Sequence, residues 1–98
     1  MTAFSTLVPD SMLERTAGVH ARRIKDEIVM MNEATNRFYA LNAVGMEIWI
    51  LLERPISVAG LCHALQEGFD VEPDQCLRDV STLVQKMVGE ELVRVVGP

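Results

Sequence analysis

"RFYALNAVGMEIWILLER" (residues 37–54) decides the fold, because the spacing of its apolar residues changes partway along it. Up to Leu41 the side chains alternate as on a strand, with Phe38 and Ala40 on one face and Arg37, Tyr39 and Leu41 on the other. Beyond Asn42 the apolar residues recur at helical spacing: Val44, Ile48, Leu51 and Leu52 form one stripe, with Trp49 at its margin. Asn42 stands at the switch, where its side-chain oxygen can accept from an N–H of the first helical turn that has no other partner. Pro55 ends the helix. The strand poses a question. A strand in a small domain normally buries one face and wets the other, yet this one carries bulk on both, so something must cover its second face and its edge.

Upstream, "VHARRI" (19–24) and "EIVMMNE" (27–33) alternate in the same way and are separated by the polar "KDE". "EATN" leads into the strand at 37, and Asn36 suits a left-handed turn. These segments predict three short strands in an antiparallel meander. Residues 1–17 show no sustained period and read as a flexible N-terminal arm, which leaves 18–98 as the folded domain. Downstream, Ser57 is placed to cap "VAGLCHALQEGF", with Val58, Leu61, Cys62 and Leu65 inward. "EPDQ" opens a third helix with a capping acid, Pro73 at the first position and Asp74 near the positive helix end. That helix is predicted to reach Val88 and to stop at Gly89. "LVRVV" (92–96) reads as a last strand or extended tail. The predicted fold class is therefore α+β: a three-stranded antiparallel sheet followed by three helices, with a winged helix-turn-helix-like second half.

At 98 residues the chain makes one domain. A domain of this size buries only about two-thirds of its unfolded surface and has little left over for a deep catalytic cavity. No apolar run reaches the roughly 18 residues of a membrane span. The opening "MTAFSTLVPDSMLERT" lacks the basic segment of a signal peptide, which points to the cytoplasm and away from the membrane. Cys62 and Cys76 read as reduced, half-buried thiols in helices.

Chemistry-bearing clusters are sparse. Cys62 and His63 are adjacent, so on a helix they point about 100° apart. Neither has metal-ligand spacing to Cys76 or His20, and no third group is placed to orient a Cys–His pair. Glu47 and Glu53, like Glu90 and Glu91, read as solvated helix faces or ends. No glycine-rich phosphate loop is present. The expectation is a protein that is not an enzyme and needs neither metal nor cofactor. Trp49 and Phe69 read as core. "ARRIK" (21–25) reads as a solvated strand face, or as a complement to acidic residues of a partner peptide. Nucleic acid is a poor partner for this winged-helix pattern: the third helix sets Arg78 and Lys86 against Glu72, Asp74 and Asp79, and phosphates would repel it.

The third helix has more apolar surface than one neighbour needs. A helix packed on one side requires a stripe of about 100°, which Leu77, Val80, Val84 and Val88 would supply. Cys76, Leu83 and Met87 widen it, as they would on a helix wedged between two others or lining a groove. The strand at 37–41 meanwhile offers an open edge, a liability unless something pairs with it. A peptide added as a strand beside residues 37–41, with its side chains against the third helix, would satisfy both.

The run "FYALNAVGMEIWILLERPISVAGLCHALQEGFDVEPDQCLRDVSTLVQKMVGEELV" resembles the PqqD-like family, the recognition elements for precursor peptides of ribosomally made, modified natural products. The matching pieces are "YALN" turning into "EIW.LLE", then "SVAGL...L...FDV", then "DV..LV..M....LV"; the likeness spans about residues 19–96. It implies three N-terminal strands and three helices, with a leader segment bound as an antiparallel strand on the third strand and against the third helix. Carried onto this chain, the peptide-binding residues are Arg37, Phe38, Tyr39, Ala40 and Leu41, with Cys76, Val80, Leu83 and Met87 from the helix. Arg37 or Lys86 would pair with leader acids and Asp79 with a leader base. The likeness implies a non-catalytic adaptor that delivers a precursor to a processing enzyme. The stand-alone lasso-peptide type, serving a leader peptidase and a macrolactam synthetase, is favoured by the "RFYALN" segment. The pyrroloquinoline-quinone type, serving a radical S-adenosylmethionine enzyme, is the alternative. Two other readings stand beside it: a winged-helix transcriptional regulator, and a homodimer formed through the open strand.

Overall fold

Asn42, Ser57 and Glu72 each start a helix, and together they set the layout. In the computed structural model, which describes residues 7–96, Asn42 Oδ1 accepts from Gly45 N at 3.1 Å and Ser57 Oγ from Gly60 N at 3.0 Å. The Glu72 carboxylate accepts from Gln75 N at 2.9 Å and Asp74 N at 3.1 Å. These caps open α1 (Ala43–Leu51), α2 (Val58–Gly68) and α3 (Pro73–Gly89). The strands are β1 (Met12–Arg15), β2 (Val19–Ile24), β3 (Glu27–Asn32), β4 (Arg37–Leu41), β5 (Ile56–Ser57) and β6 (Val93–Val96). The fold is α+β and winged-helix-like, three antiparallel strands followed by three helices, as the periodicity predicts.

β2, β3 and β4 form one antiparallel sheet in that order, with β3 in the centre. Directly opposed residues share a face. Tyr39 opposes Met30 and Leu41 opposes Ile28, both core residues, so Tyr39 and Leu41 lie on the inner face. Phe38 opposes Met31 and Ala40 opposes Val29 on the outer face. The end of β4 is set tightly against α1. A Cβ on Gly45 would come within 2.8 Å of Leu41 Cβ, so only glycine permits this approach.

The remaining strands make a second sheet, β5-β1-β6, that sequence pattern does not show. The expected arm over 1–17 is corrected here: Met12–Arg15 is a central strand, and Leu13 is 0% exposed. Residues 1–6 of that arm lie outside the described residues. Four residues are too few to establish a period, and the partners of β1 are at 56–57 and 93–96. Arg15 adds a tie to α1: Nε donates to the Trp49 carbonyl at 3.1 Å, and the guanidinium lies 4.5 Å from the indole centroid. Arg94 and Glu14 pair across β1 and β6.

Four further details differ from the sequence reading. Val44 and Phe69 are not core: they are 43% and 40% exposed, Val44 because the buried side of α1 is built on Met46, Ile48, Trp49 and Leu52, and Phe69 because it follows the last turn of α2 in extended conformation. The buried stripe of α3 is Cys76, Val80, Val84 and Met87, leaving Leu77, Leu83 and Val88 half-buried. Gly89 is the last residue of α3, and the left-handed turn beyond it falls on Glu91, at φ 62°. Both cysteines are free and buried rather than half-buried.

Candidate functional site

A groove runs between β4 and α3. Among the described strands β4 pairs only with β3, so its outer edge offers unpaired backbone donors and acceptors. Three adjoining hollows make up the groove. At the Leu41 end is a cavity of about 230 Å³ walled by Val44, Ile48, Leu65, Phe69 and Val71, with Cys76, Asp79, Val80 and Leu83 from α3. Leu83 also lines the middle hollow of about 100 Å³, together with Tyr39, Ala40, Leu41, Lys86, Met87 and Glu90. Tyr39 and Glu90 continue into a third, polar cavity of about 290 Å³ with Thr35, Arg37 and Glu91.

The residues singled out in the sequence are thus mostly drawn together, but in different roles. Tyr39 and Leu41 are half-buried and face α3, while Cys76, Val80 and Met87 are buried and form the floor. Leu83, Asp79 and Lys86 lie on the wall. Gln75 Nε2 donates to Asp79 Oδ1 at 2.8 Å, which fixes that carboxylate along the helix. Phe38 is placed elsewhere. It is 71% exposed on the outer sheet face, beside Ile24, Val29 and Met31.

β4 and the end of α3 are tied across the groove. Tyr39 Oη donates to Glu90 Oε1 at 2.8 Å, and Arg37 Nη1 lies 3.7 Å from the same oxygen. The carboxylate holds the Tyr39 phenol above its ordinary pKa, first through that hydrogen bond and then through burial and charge, with Arg37 opposing. Below the floor, burial pushes the Cys62 thiol up to about 11, aided by the neighbouring Cys76, whose Sγ sits 3.9 Å from the Cys62 carbonyl oxygen. The Cys62 thiol is therefore protonated and unreactive.

Val44, Phe69, Val71 and Glu90 are groove residues that sequence reasoning did not assign. The first three carry apolar side chains left partly exposed, which a pattern cannot separate from core; Glu90 is recognisable only through Tyr39, 51 positions away. Among the described residues no group of three or more His, Cys, Asp or Glu could hold a metal, and no helix is long and apolar enough to cross a membrane. The arrangement offers an edge to pair with, an apolar hollow and a polar one. It is equipped to bind an extended chain.

A family model described as coenzyme PQQ synthesis protein D (PqqD) matches residues 27–93. Among solved structures, TbiB1 in complex with the TbiA(beta) leader peptide is similar at 25% identity and a TM-score of 0.78, over 87% of this chain and 99% of that one. The solution NMR structure of the PqqD truncation of Methylobacterium extorquens PqqCD, a functional and stand-alone RiPP recognition element, is similar at 13% identity and a TM-score of 0.75. That likeness covers 90% of this chain and 94% of that one. No curated protein sequence matches the chain.

Proposed function

Because the chain belongs to the family of coenzyme PQQ synthesis protein D, we propose that it is a leader-peptide recognition element. It binds the leader of a ribosomally made precursor as an added antiparallel strand on β4 and, without catalysing a reaction itself, delivers it to a processing enzyme. The observation that carries this reading is the open β4 edge lying beside a groove with an apolar hollow. Backbone pairing along Arg37–Leu41 supplies affinity with little demand on sequence, and the hollow lined by Val44, Phe69, Val71 and Leu83 selects an apolar anchor side chain. The complex of TbiB1 with a leader peptide supports the same use of this fold. Holding the precursor at the enzyme raises its local concentration. Of the two kinds of delivery, we favour the lasso type, to a leader peptidase and macrolactam synthetase, on the "RFYALN" segment.

The test is fluorescence anisotropy of a labelled leader from the precursor encoded beside this gene. Leu83→Asp puts a charge in the apolar part of the groove without opening the buried floor, and should weaken binding by about 100-fold. Phe38→Ala, on the outer face, should change it far less. Equal losses from both would move the site off the groove. Saturation of wild-type protein by its own copies instead of leader, seen by light scattering, would favour the homodimer.

A further inference from the structure

The two ends of the groove differ in chemistry, and the polar end has no role so far. We propose that the cavity at the Arg37 end is a charge-reading subsite that takes a lysine or arginine side chain of the bound strand, a proposal that rests on the leader-binding reading above. Four features converge there. Within this cavity Glu90 and Glu91 have a single cation beside them, Arg37, which stands 3.7 Å from Glu90 Oε1, beyond a good hydrogen bond, and extends into solvent; that oxygen already accepts from Tyr39 Oη, which leaves Oε2 and the Glu91 carboxylate to meet a ligand. The cavity also lies at the C-terminal end of α3, where the last carbonyls add partial negative charge. Among the described residues the Glu91 carboxylate has no ion pair, and Thr35 Oγ1 is shut from solvent without a hydrogen-bond partner. An ammonium or guanidinium entering the cavity supplies the missing donor once the Thr35 side chain turns.

The cavity is also held in shape before any ligand arrives. Asn32 is 0% exposed, and its Nδ2 donates to the Glu91 carbonyl at 2.9 Å. Its Oδ1 accepts from Ala34 N at 2.8 Å, so one side chain fastens the β3–β4 turn to the turn after α3. A fixed wall lowers the ordering cost of binding.

Direction follows from the strand. A ligand antiparallel to β4 puts its N-terminal part at Leu41, over the apolar hollow, and its C-terminal part at Arg37. Arg37 and Leu41, at the two ends of β4, are four positions apart, and a paired strand has the same rise, so the basic side chain falls about four to six residues C-terminal to the apolar anchor. The recognised pattern is thus an apolar anchor followed by a cation, in that order.

The experiment uses the full chain and a set of synthetic leader peptides carrying Lys, Gln or Glu in turn at each position of that window. Lys should bind about fivefold tighter than Gln at one position, with Glu weakest, and the Lys advantage should fade with added salt. Glu91→Gln, which leaves the Tyr39–Glu90 tie in place, should cut the Lys advantage by more than half while the Gln peptide binds as before. Circular dichroism checks that the variant is folded. Equal affinity of Lys and Gln at every position, or an equal loss for both peptides in Glu91→Gln, overturns the subsite and leaves the adaptor intact. No binding of any peptide by the wild-type chain overturns both.

Discussion

The sheet has two open edges, β2 and β4, and they are built in opposite ways. β2 presents His20, Arg22 and Arg23 along six residues, is exposed over most of its length, and is packed along its length only on β3. β4 carries one charge, Arg37, at its first residue, next to Glu90, and from Phe38 to Leu41 it has none. Charged side chains are a common device for keeping a strand edge from pairing with another chain. On β2 that device is present. On β4 it is missing where α3 supplies a facing wall. The edge left unguarded is the one on which the leader strand is proposed to pair, and the groove beside it gives the contrast its weight.

The largest effect expected from disturbing this contrast comes from Gly45, which lets β4 sit hard against α1. In an open helix Gly→Ala stabilises by about 1 kcal/mol. Here the new Cβ would stand 2.8 Å from Leu41 Cβ, an atom fixed to the backbone, so the strand end or the helix must move. Gly45→Ala should cost about 1–3 kcal/mol in chemical denaturation and weaken leader binding as Leu41 shifts. A stabilised variant would show that β4 is not pinned from this side. No comparable constraint acts on β2.

A second change attacks the guarded edge directly. Arg22→Val with Arg23→Val removes its charges and raises its strand propensity. The variant should self-associate at concentrations where the wild type stays monomeric, as read by size-exclusion chromatography with light scattering, and its leader affinity should be unchanged. If it stays monomeric, charge is not what protects β2. If it loses leader binding, the two edges are not independent.

This contrast was only partly legible in the sequence. β2, β3 and β4 declared themselves by alternation and by the polar turns between them, and Asn42, Ser57 and Glu72 marked three helix starts by capping chemistry alone. β1 and β5 did not, because strands of four and two residues hold no period and their partners are remote in sequence. α3 shows a different limit. Seven apolar residues span an arc wide enough for two stripes, and the choice of Cys76, Val80, Val84 and Met87 as core belongs to the helices and strands packed around it. Phe69 and Val44 looked like core because apolar residues lining a groove and those filling an interior are the same residues. The tie from Tyr39 to Glu90 joins residues whose local sequence gives no hint of each other.

That tie supplies the smallest effect and the most specific one. Tyr39 is the chain's only tyrosine, so its ionisation can be followed alone through phenolate absorbance. Its phenol donates to a carboxylate, and ionising it would bring a second negative charge against Glu90, so its pKa in the fold lies above the ordinary 10.0. A proton held more tightly in the folded than in the unfolded chain stabilises the fold; that contribution is complete below the unfolded value and is lost as pH rises through the folded one. The alkaline titration should therefore run late, and Glu90→Gln should bring it back toward 10.0 by removing both the acceptor's charge and the repulsion. Leader affinity should hold through neutral and mildly alkaline pH and fall only where the absorbance changes. A phenol that ionises at or below its ordinary value would mean that β4 and α3 are not tied in solution, and the unguarded edge would then lack the fixed wall that distinguishes it from β2.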